Sequence, residues 1–172
     1  RSPAKPSYDI EIKDQYGDGH ISSIQAGSVV YNLSPGSIGT ALEDLMAGSN
    51  QADVLSSGDG NDWLFGNGGR DVLQAGAGDD TVFGGRGADD IQATSGNNLI
   101  FAENGNDRVT TGDGADRIQG GQGKDKINAG GGNDIVDGGT GNDVLRGKDG
   151  DDTLAGGDGN VEYMVYAIRR HQ

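Results

Sequence analysis

The sequence predicts an all-β fold in which short strands wind into a right-handed parallel β-roll, a β-helix-like solenoid of stacked repeats. Three observations predict this fold class. An acidic or amide residue recurs every nine positions, twelve times without insertion or deletion; an aliphatic residue stands two positions after each; and glycine stands two positions before eleven of them. A nine-residue period with glycine, aspartate and aliphatic columns in fixed phase is typical of stacked turns and three-residue strands.

The acidic column provides the candidate metal ligands, and the aliphatic column provides the predicted core. The candidate ligands are Asp53, Asp62, Asp71, Asp80, Asp89, Asn98, Asp107, Asp116, Asp125, Asp134, Asp143 and Asp152. The predicted core residues are Leu55, Leu64, Leu73, Val82, Ile91, Ile100, Val109, Ile118, Ile127, Val136, Leu145 and Leu154. The glycines two positions before the aspartates are further candidates, because the carbonyl oxygens of their turns could point at an ion. They are Gly60, Gly69, Gly78, Gly87, Gly105, Gly114, Gly123, Gly132, Gly141 and Gly150. Gly96 precedes Asn98, and Gln51 takes the glycine position of the first repeat.

The bulk composition is unusual for a globular domain. Glycine supplies 34 of the 172 residues and apolar residues only 32%, a composition that without periodicity indicates disorder. Collagen is excluded because the glycine period is nine rather than three and the chain has only 3 prolines. The periodicity therefore decides in favour of an ordered repeat fold.

The charge balance is strongly acidic. Asp and Glu outnumber Lys and Arg by 27 to 13, which gives a formal charge of −14 and makes nucleic acid an unfavourable partner. Eleven of the 27 acidic residues fall in the single column described above, so the acidity is arranged for cations. The chain has no cysteine for disulfides or thiolate metal sites, and no apolar stretch long enough to cross a membrane.

Three segments are predicted. Residues 1–47 form an N-terminal flank, with a hairpin around the polar turn Asp14 to His20, a strand from Val29 to Leu33 and a short helix from Ser37 to Met46. Residues 48–160 form the roll, of which 48–155 are the twelve nonapeptides. Residues 161–172 form a capping strand from Val161 to Ile168, which covers the open end of the roll, and a tail.

The polar turn of the hairpin carries an alternative interpretation. Asp14, Asp18 and Gly19 partly match the ligand spacing of an EF-hand loop, but Tyr16 replaces an expected oxygen ligand and Gln25 replaces the final glutamate. The sequence is consistent with two interpretations of this turn, an ordinary glycine-containing turn and a degenerate cation site.

Strand geometry explains how the repeats would bind a cation. If two nonapeptides face each other in one coil of eighteen residues, aspartates eighteen apart lie one above another at about 4.8 Å. Two carboxylates and several turn carbonyls can then surround one Ca²⁺ at roughly 2.3 to 2.6 Å, and glycine provides the positive φ that such turns need. Stacked carboxylates repel by about 3 kcal/mol at an effective dielectric constant of 20. We therefore expect a chain that is unfolded without calcium.

Residues 48–155 resemble the RTX (repeats-in-toxin) family, whose consensus is Gly-Gly-x-Gly-x-Asp-x-aliphatic-x. Full matches occur at 84–89, 120–125 and 138–143. The resemblance implies a parallel β-roll with calcium between stacked turns, ligated by the aspartates and by main-chain oxygens of the glycine-rich turns. The sequence departs from the consensus at Gln51, at Asn98, and at the first two positions of the turns that begin Ala93-Thr94, Ala102-Glu103 and Thr111-Gly112. We expect about eight ions, with weaker or missing ones beside Asn98.

The resemblance also implies a function and a location. Calcium sites of extracellular modules typically bind at about 10⁻⁴ to 10⁻³ M, so the roll would be empty in a cytosol and filled outside a cell. Family membership would imply a secreted bacterial toxin or exoprotein that leaves the cell through type I secretion machinery and folds on external calcium. That folding would drive secretion and position an attached effector.

The sequence also bears on two other functional classes. An enzyme is disfavoured because the only histidines, His20 and His171, lie in a turn and a tail, and no nucleophile and base are grouped. A binding surface is the alternative, since an aromatic stripe is predicted on one outer face. Either the helix Ser37 to Met46 or another part of the protein covers it, or it binds a host receptor, glycan or partner. The stripe consists of Trp63, Phe65, Phe83, Leu99 and Phe101.

Overall fold

The computed structural model describes residues 10–13, 23–26, 29–32, 39 and 41–164. Within these residues the chain consists of strands and turns and has no helix. The strands are β1 (Ile10–Lys13), β2 (Ser23–Ala26), β3 (Val29–Asn32), β4 (Asp44–Ala47), β5 (Val54–Ser56), β6 (Trp63–Phe65), β7 (Val72–Ala77), β8 (Thr81–Arg86), β9 (Asp90–Ser95), β10 (Leu99–Asn104), β11 (Arg108–Asp113), β12 (Arg117–Gln122), β13 (Lys126–Asn128), β14 (Ile135–Thr140), β15 (Val144–Arg146), β16 (Thr153–Ala155) and β17 (Glu162–Met164).

The strands alternate between two sheets. From β4 onward the even-numbered strands lie side by side in one sheet and the odd-numbered strands in the other. Neighbours within each sheet are parallel and eighteen residues apart, as in the pairing of Val82 with Ile100 and of Ile100 with Ile118. One coil therefore contains two nonapeptides, one in each sheet, and the predicted all-β parallel roll is confirmed.

The aliphatic column forms the core, as predicted. Eleven of its twelve members, from Leu55 to Leu145, are at most 3% exposed, while Leu154 near the end of the roll is partly buried. Facing residues from the two sheets meet in the interior, so each coil contributes one aliphatic side chain from either side. This thin core is continuous along the stack.

A second inward column was missed. The prediction of three-residue strands is wrong for β7 to β12 and β14, which have six residues each. In these longer strands the side chain two positions after the aliphatic residue also turns inward, as Ala75, Ala93 and Ala102 do. Other repeats place glycine there, for example Gly84 and Gly120, both buried. The interior has room for at most a small side chain at this level, and the sequence interpretation had assigned these residues to turns.

The predicted helix from Ser37 to Met46 is wrong in the part that the structure describes. Asp44–Ala47 is strand β4, which pairs in parallel with β6, and Met46 is fully buried in the core. Apolar residues at helical spacing favoured a helix locally, but pairing with the neighbouring coil and burial of Met46 outweigh that weak preference. Ser37, Ile38 and Thr40 lie outside the described residues.

The flanks are described in part. β1 and β2 pair antiparallel, with Ile12 opposite Ile24, and β3 follows β2 antiparallel. The turn Asp14 to His20, with the alternative cation loop, lies outside the described residues. β17 adds to the odd-numbered sheet beside β15, and residues beyond Met164 are not among those described.

No helix in the described part of the chain is long and apolar enough to cross a membrane.

Candidate metal centre

The candidate ligands form two vertical ladders, one along the N-terminal ends of the strands of each sheet. In each ladder the backbone N–H of one residue donates a hydrogen bond to the side-chain Oδ1 of the residue eighteen positions later, at 2.8 to 3.1 Å. The first ladder contains Asp53, Asp71, Asp89, Asp107, Asp125 and Asp143, and the second contains Asp62, Asp80, Asn98, Asp116, Asp134 and Asp152. The structure thus brings all twelve candidates into register.

One oxygen of each ladder aspartate is buried and accepts no hydrogen bond from the described protein. For Asp53 this oxygen is Oδ1, and for the others it is Oδ2, in Asp62, Asp71, Asp80, Asp89, Asp107, Asp116, Asp125, Asp134, Asp143 and Asp152. An ionised carboxylate oxygen that is buried without a partner costs several kcal/mol, which is why such groups are normally paired or bound to metal. The repetition of this feature along both ladders indicates a cation.

Burial also changes the acidity of the ladders. It raises the pKa of Asp80 and Asp107 from an ordinary value of 3.8 to about 7, and that of Asp89, Asp125 and Asp134 to about 6. The backbone hydrogen bond to each carboxylate lowers the pKa, and neighbouring ladder aspartates raise it further. Without a cation, the ladders therefore hold protons that a solvated aspartate would release.

The glycine column gives the turns their shape. All eleven of its glycines, Gly60 to Gly150, have φ between 98° and 154°, which L side chains rarely adopt. At Gly87 a methyl group would overlap with the carbonyl oxygen of Gly69 in the preceding coil. Glycine is thus required both for the conformation and for the close stacking of successive turns. Gln51, where the column is broken, is not among the residues with positive φ.

Carboxylate and main-chain oxygens converge at the first position of the nonapeptide. A methyl group placed on Gly120 would lie 2.7 Å from Oδ2 of Asp125 and 2.6 Å from the carbonyl oxygen of Gly138 in the next coil. The equivalent point at Gly84 is 3.1 Å from Oδ2 of Asp89 and 2.6 Å from the carbonyl oxygen of Ala102. The unpartnered carboxylate oxygen therefore lies close to a main-chain oxygen of the adjacent coil.

This donor set fits calcium. Among the described residues no group of three or more His, Cys, Asp or Glu side chains could hold a metal, so each site would combine two ladder carboxylates with main-chain oxygens. Ca²⁺ takes six to eight oxygen ligands, including backbone carbonyls, in flexible geometry. Zinc and other metals that prefer nitrogen or sulfur ligands do not suit such a site.

Asn98 differs from every other ladder residue. Its Nδ2 donates to the carbonyl oxygen of Gly96 at 3.0 Å and to Oδ1 of Asp116 at 2.9 Å. Its Oδ1 accepts the N–H of Asp80 at 3.1 Å. Because Oδ1 accepts the ladder N–H, the atom of Asn98 in place of the unpartnered carboxylate oxygen is Nδ2, a hydrogen-bond donor that cannot ligate a cation. This gives a physical reason to expect weaker ion binding beside Asn98.

A second column of side chains supports the turns and was missed in the sequence. The residue just before the ladder residue accepts, through Oδ1, the backbone N–H of the residue eighteen positions later, at 2.7 to 3.1 Å. The acceptors are Asn61, Asp79, Asn97, Asn106, Asn133 and Asn142. The recurrence of Asn and Asp immediately before the ladder residue was the signal that could have revealed this column.

The raised pKa values predict how the calcium-free chain responds to pH. Because the folded roll binds protons that the unfolded chain releases above about pH 4, its stability is greatest in acid and is lost as the pH rises through about 6 to 7. In chelator, acidification from neutral pH to about pH 4 should therefore increase the β-sheet signal in circular dichroism. With calcium present the trend should reverse, since protons compete with the ion. A calcium-free β signal that falls on acidification would contradict this assignment.

Comparisons with known proteins agree with the ladders and turns. The family model described as the RTX calcium-binding nonapeptide repeat (4 copies) matches residues 38–73, 56–91, 65–100, 83–116, 110–145 and 137–160. A search of curated proteins found no significant match. The family matches together cover residues 38–160, and RTX nonapeptide repeats bind calcium. The chain therefore belongs to the family of RTX calcium-binding repeat proteins.

Proposed function

We propose that this chain is the calcium-binding repeat domain of a secreted bacterial toxin or exoprotein, unfolded without calcium and folded by the calcium it meets outside the cell. The observation that carries the proposal is the series of buried carboxylate oxygens without hydrogen-bond partners. Calcium binding would neutralise these oxygens and add ligand bonds between successive coils. A chain with a formal charge of −14 and a thin core has little else to offset the repulsion.

The proposed ligands are the ladder aspartates together with the main-chain oxygens of the glycine-rich turns. Each ladder of six has five gaps between successive members, and two of the ten gaps touch Asn98. We therefore propose about eight ions. When bound, calcium supplies positive charge and oxygen coordination, and the chain's own residues orient the carboxylates through the backbone hydrogen bonds of the ladders.

The proposed extracellular location is based on the calcium affinity that is typical of such modules. Extracellular calcium modules bind at about 10⁻⁴ to 10⁻³ M, well above cytosolic levels, so folding would be delayed until the chain has left the cell. This supports export of an unfolded chain through a type I secretion channel, with folding outside that draws the chain forward and positions an attached effector. The absence of cysteine fits such a chain, because no disulfide can form before export.

We keep the division into an N-terminal flank (1–47), a roll (48–160) and a C-terminal cap (161–172). The parallel pairing of β17 with β15 supports a cap that continues the sheet. The role proposed for the whole domain is structural rather than catalytic, and RTX rolls of this kind are calcium-binding domains.

The aromatic stripe supports a second candidate function, recognition of a receptor or glycan. On the even-numbered sheet Phe65, Phe83 and Phe101 stack with ring centroids 5.0 and 5.1 Å apart, and Trp63 lies 6.4 Å from Phe83. Trp63 remains 51% exposed. Large exposed apolar patches often mark binding surfaces, although the stacked rings also stabilise neighbouring coils.

The main test is calcium-dependent folding followed by circular dichroism. The wild-type chain should be unfolded in chelator and show a β spectrum in millimolar calcium. Asp107→Asn keeps the oxygen that accepts the Asp89 N–H but removes the charge. It should raise the calcium concentration at half-folding by roughly tenfold, equivalent to about 1.4 kcal/mol.

Asp149→Asn is the matched control, since it makes the same charge change at an exposed position outside the ladders. It should leave the folding midpoint near that of the wild type. An identical β spectrum in chelator and in calcium would reject the proposal.

A second variant tests the ion count. Asn98→Asp replaces the amide that bridges Gly96 and Asp116 with a carboxylate, so both neighbouring gaps become like the others. Native mass spectrometry should find up to two additional calcium ions in this variant. Asn97→Asp, which adds the same charge at the exposed neighbouring position, should leave the ion count unchanged. An unchanged ion count in Asn98→Asp would overturn the assignment of impaired gaps.

The two roles of the aromatic stripe are separated by Phe83→Ser and Phe101→Ser. Loss of calcium-induced folding, read from circular dichroism, would show that the rings act within the protein. Normal folding with loss of adhesion to host cells or of binding to a glycan array would support recognition. Normal folding together with unchanged binding in both assays would exclude both roles for these rings.

A further inference from the structure

Residues 39–47, which the sequence interpretation placed in a flank, have the pattern of an additional repeat. Gly39, Asp44 and Met46 stand nine positions before Gly48, Asp53 and Leu55. The pattern is incomplete because Leu42 stands in the glycine column. This departure explains why a local helix was predicted there instead.

In the structure this segment is part of the roll. β4 pairs in parallel with β6, with Leu45 opposite Trp63 and Met46 opposite Leu64. Both Met46 and Leu64 are fully buried. The coil that carries Asp44 is therefore stacked directly on the coil that carries Asp62.

Asp44 also occupies the ladder position. It is 2% exposed, and its backbone N–H donates to Oδ1 of Asp62 at 2.8 Å, the same bond that joins all later members of the ladder. Because Oδ1 of Asp62 accepts this bond, the Asp62 carboxylate faces the coil of Asp44. Its Oδ2 is buried and accepts no hydrogen bond from the described protein, since the nearby Ser57 hydroxyl donates instead to the carbonyl oxygen of Ala75 at 2.7 Å.

The main-chain oxygens repeat the arrangement of the later turns. A methyl group on Gly39 would lie 2.6 Å from Oδ2 of Asp44 and would overlap with the carbonyl oxygen of Ser57, as at Gly120 with Asp125 and Gly138. A methyl group on Gly60 would lie 2.6 Å from the carbonyl oxygen of Leu42. Leu42 thus presents its carbonyl to the next coil where later repeats present that of glycine.

We propose that Asp44 and Asp62 hold a further calcium ion, so that the second ladder begins at Asp44 and the roll begins at Gly39. This inference rests on the proposed calcium-dependent folding and adds an eleventh gap to the ten between the predicted repeats. The oxygens available to the ion are the two carboxylates and main-chain carbonyls of the adjoining turns. The site would join β4 to the repeats and make the N-terminal end of the roll respond to calcium.

The position of the only tryptophan gives this site a local reporter. A cavity of about 550 Å³ is lined by Asp44, Trp63 and four neighbouring residues, and the chain contains 1 tryptophan. Terbium, which replaces calcium at oxygen sites, emits when a nearby indole is excited. Emission excited through Trp63 therefore reports on the gap between Asp44 and Asp62 and on the next gap, between Asp62 and Asp80.

The test compares Asp44→Asn with Glu43→Gln, an adjacent exposed carboxylate outside the ladder. In folded protein, Asp44→Asn should lower the calcium count in native mass spectrometry by one and reduce, without abolishing, the terbium emission. Glu43→Gln should change neither. An unchanged count and emission in Asp44→Asn would show that Asp44 only positions β4, and would overturn the inference.

A measurement on the wild-type chain keeps the inference testable if Asp44→Asn does not fold. In a crystal grown with terbium, the anomalous difference map should contain an ion between Asp44 and Asp62. Ions in the later gaps with none in this one would overturn the inference and leave the proposed function intact. A map without ions in either ladder would overturn both.

Discussion

The roll depends on the different roles of the two oxygens of each ladder carboxylate. One oxygen accepts a hydrogen bond from a backbone N–H of the preceding coil, and this bond holds the two coils in register. That bond orients the carboxylate and leaves the other oxygen buried without a donor among the residues that the structure describes. Every coil therefore buries a carboxylate oxygen that no described protein group neutralises, and a bound cation, or a proton in its absence, would remove that cost.

The remaining features make this arrangement repeatable. Glycines in left-handed conformations allow the turns to stack closely, and the Asn and Asp side chains before the ladder residues satisfy turn amides from the outside. The aliphatic column is buried between the sheets, but it supplies only one large side chain per nonapeptide. Local geometry thus comes from hydrogen bonds and glycine, while the apolar core mainly fixes which side of each strand faces inward.

Much of the roll could be predicted from the sequence because each residue type in the repeat has a strict physical task. The spacing of Asp53 and Asp71 predicted both the coil length and the vertical ladders, and the column from Leu55 to Leu145 predicted the core. The small inward residues, such as Ala75 and Ala93, escaped notice because alanine and glycine have no distinctive pattern. Asp44 escaped notice because Leu42 and Leu45 were interpreted as one face of a helix, and only pairing with β6 reveals the strand.

The coil of eighteen residues contains two nearly equivalent halves, and this constrains how such a chain can change length. Loss of a single nonapeptide would preserve both ladders, because every later aspartate would still find a partner in the stack. It would nevertheless transfer all later strands to the opposite sheet, so that a loss between Phe83 and Phe101 would move Phe101 away from the side on which Phe65 and Phe83 stack. Loss of two nonapeptides would keep every outward side chain on its original side. Where the outer surface has a role, duplication and deletion should therefore be tolerated in pairs of repeats.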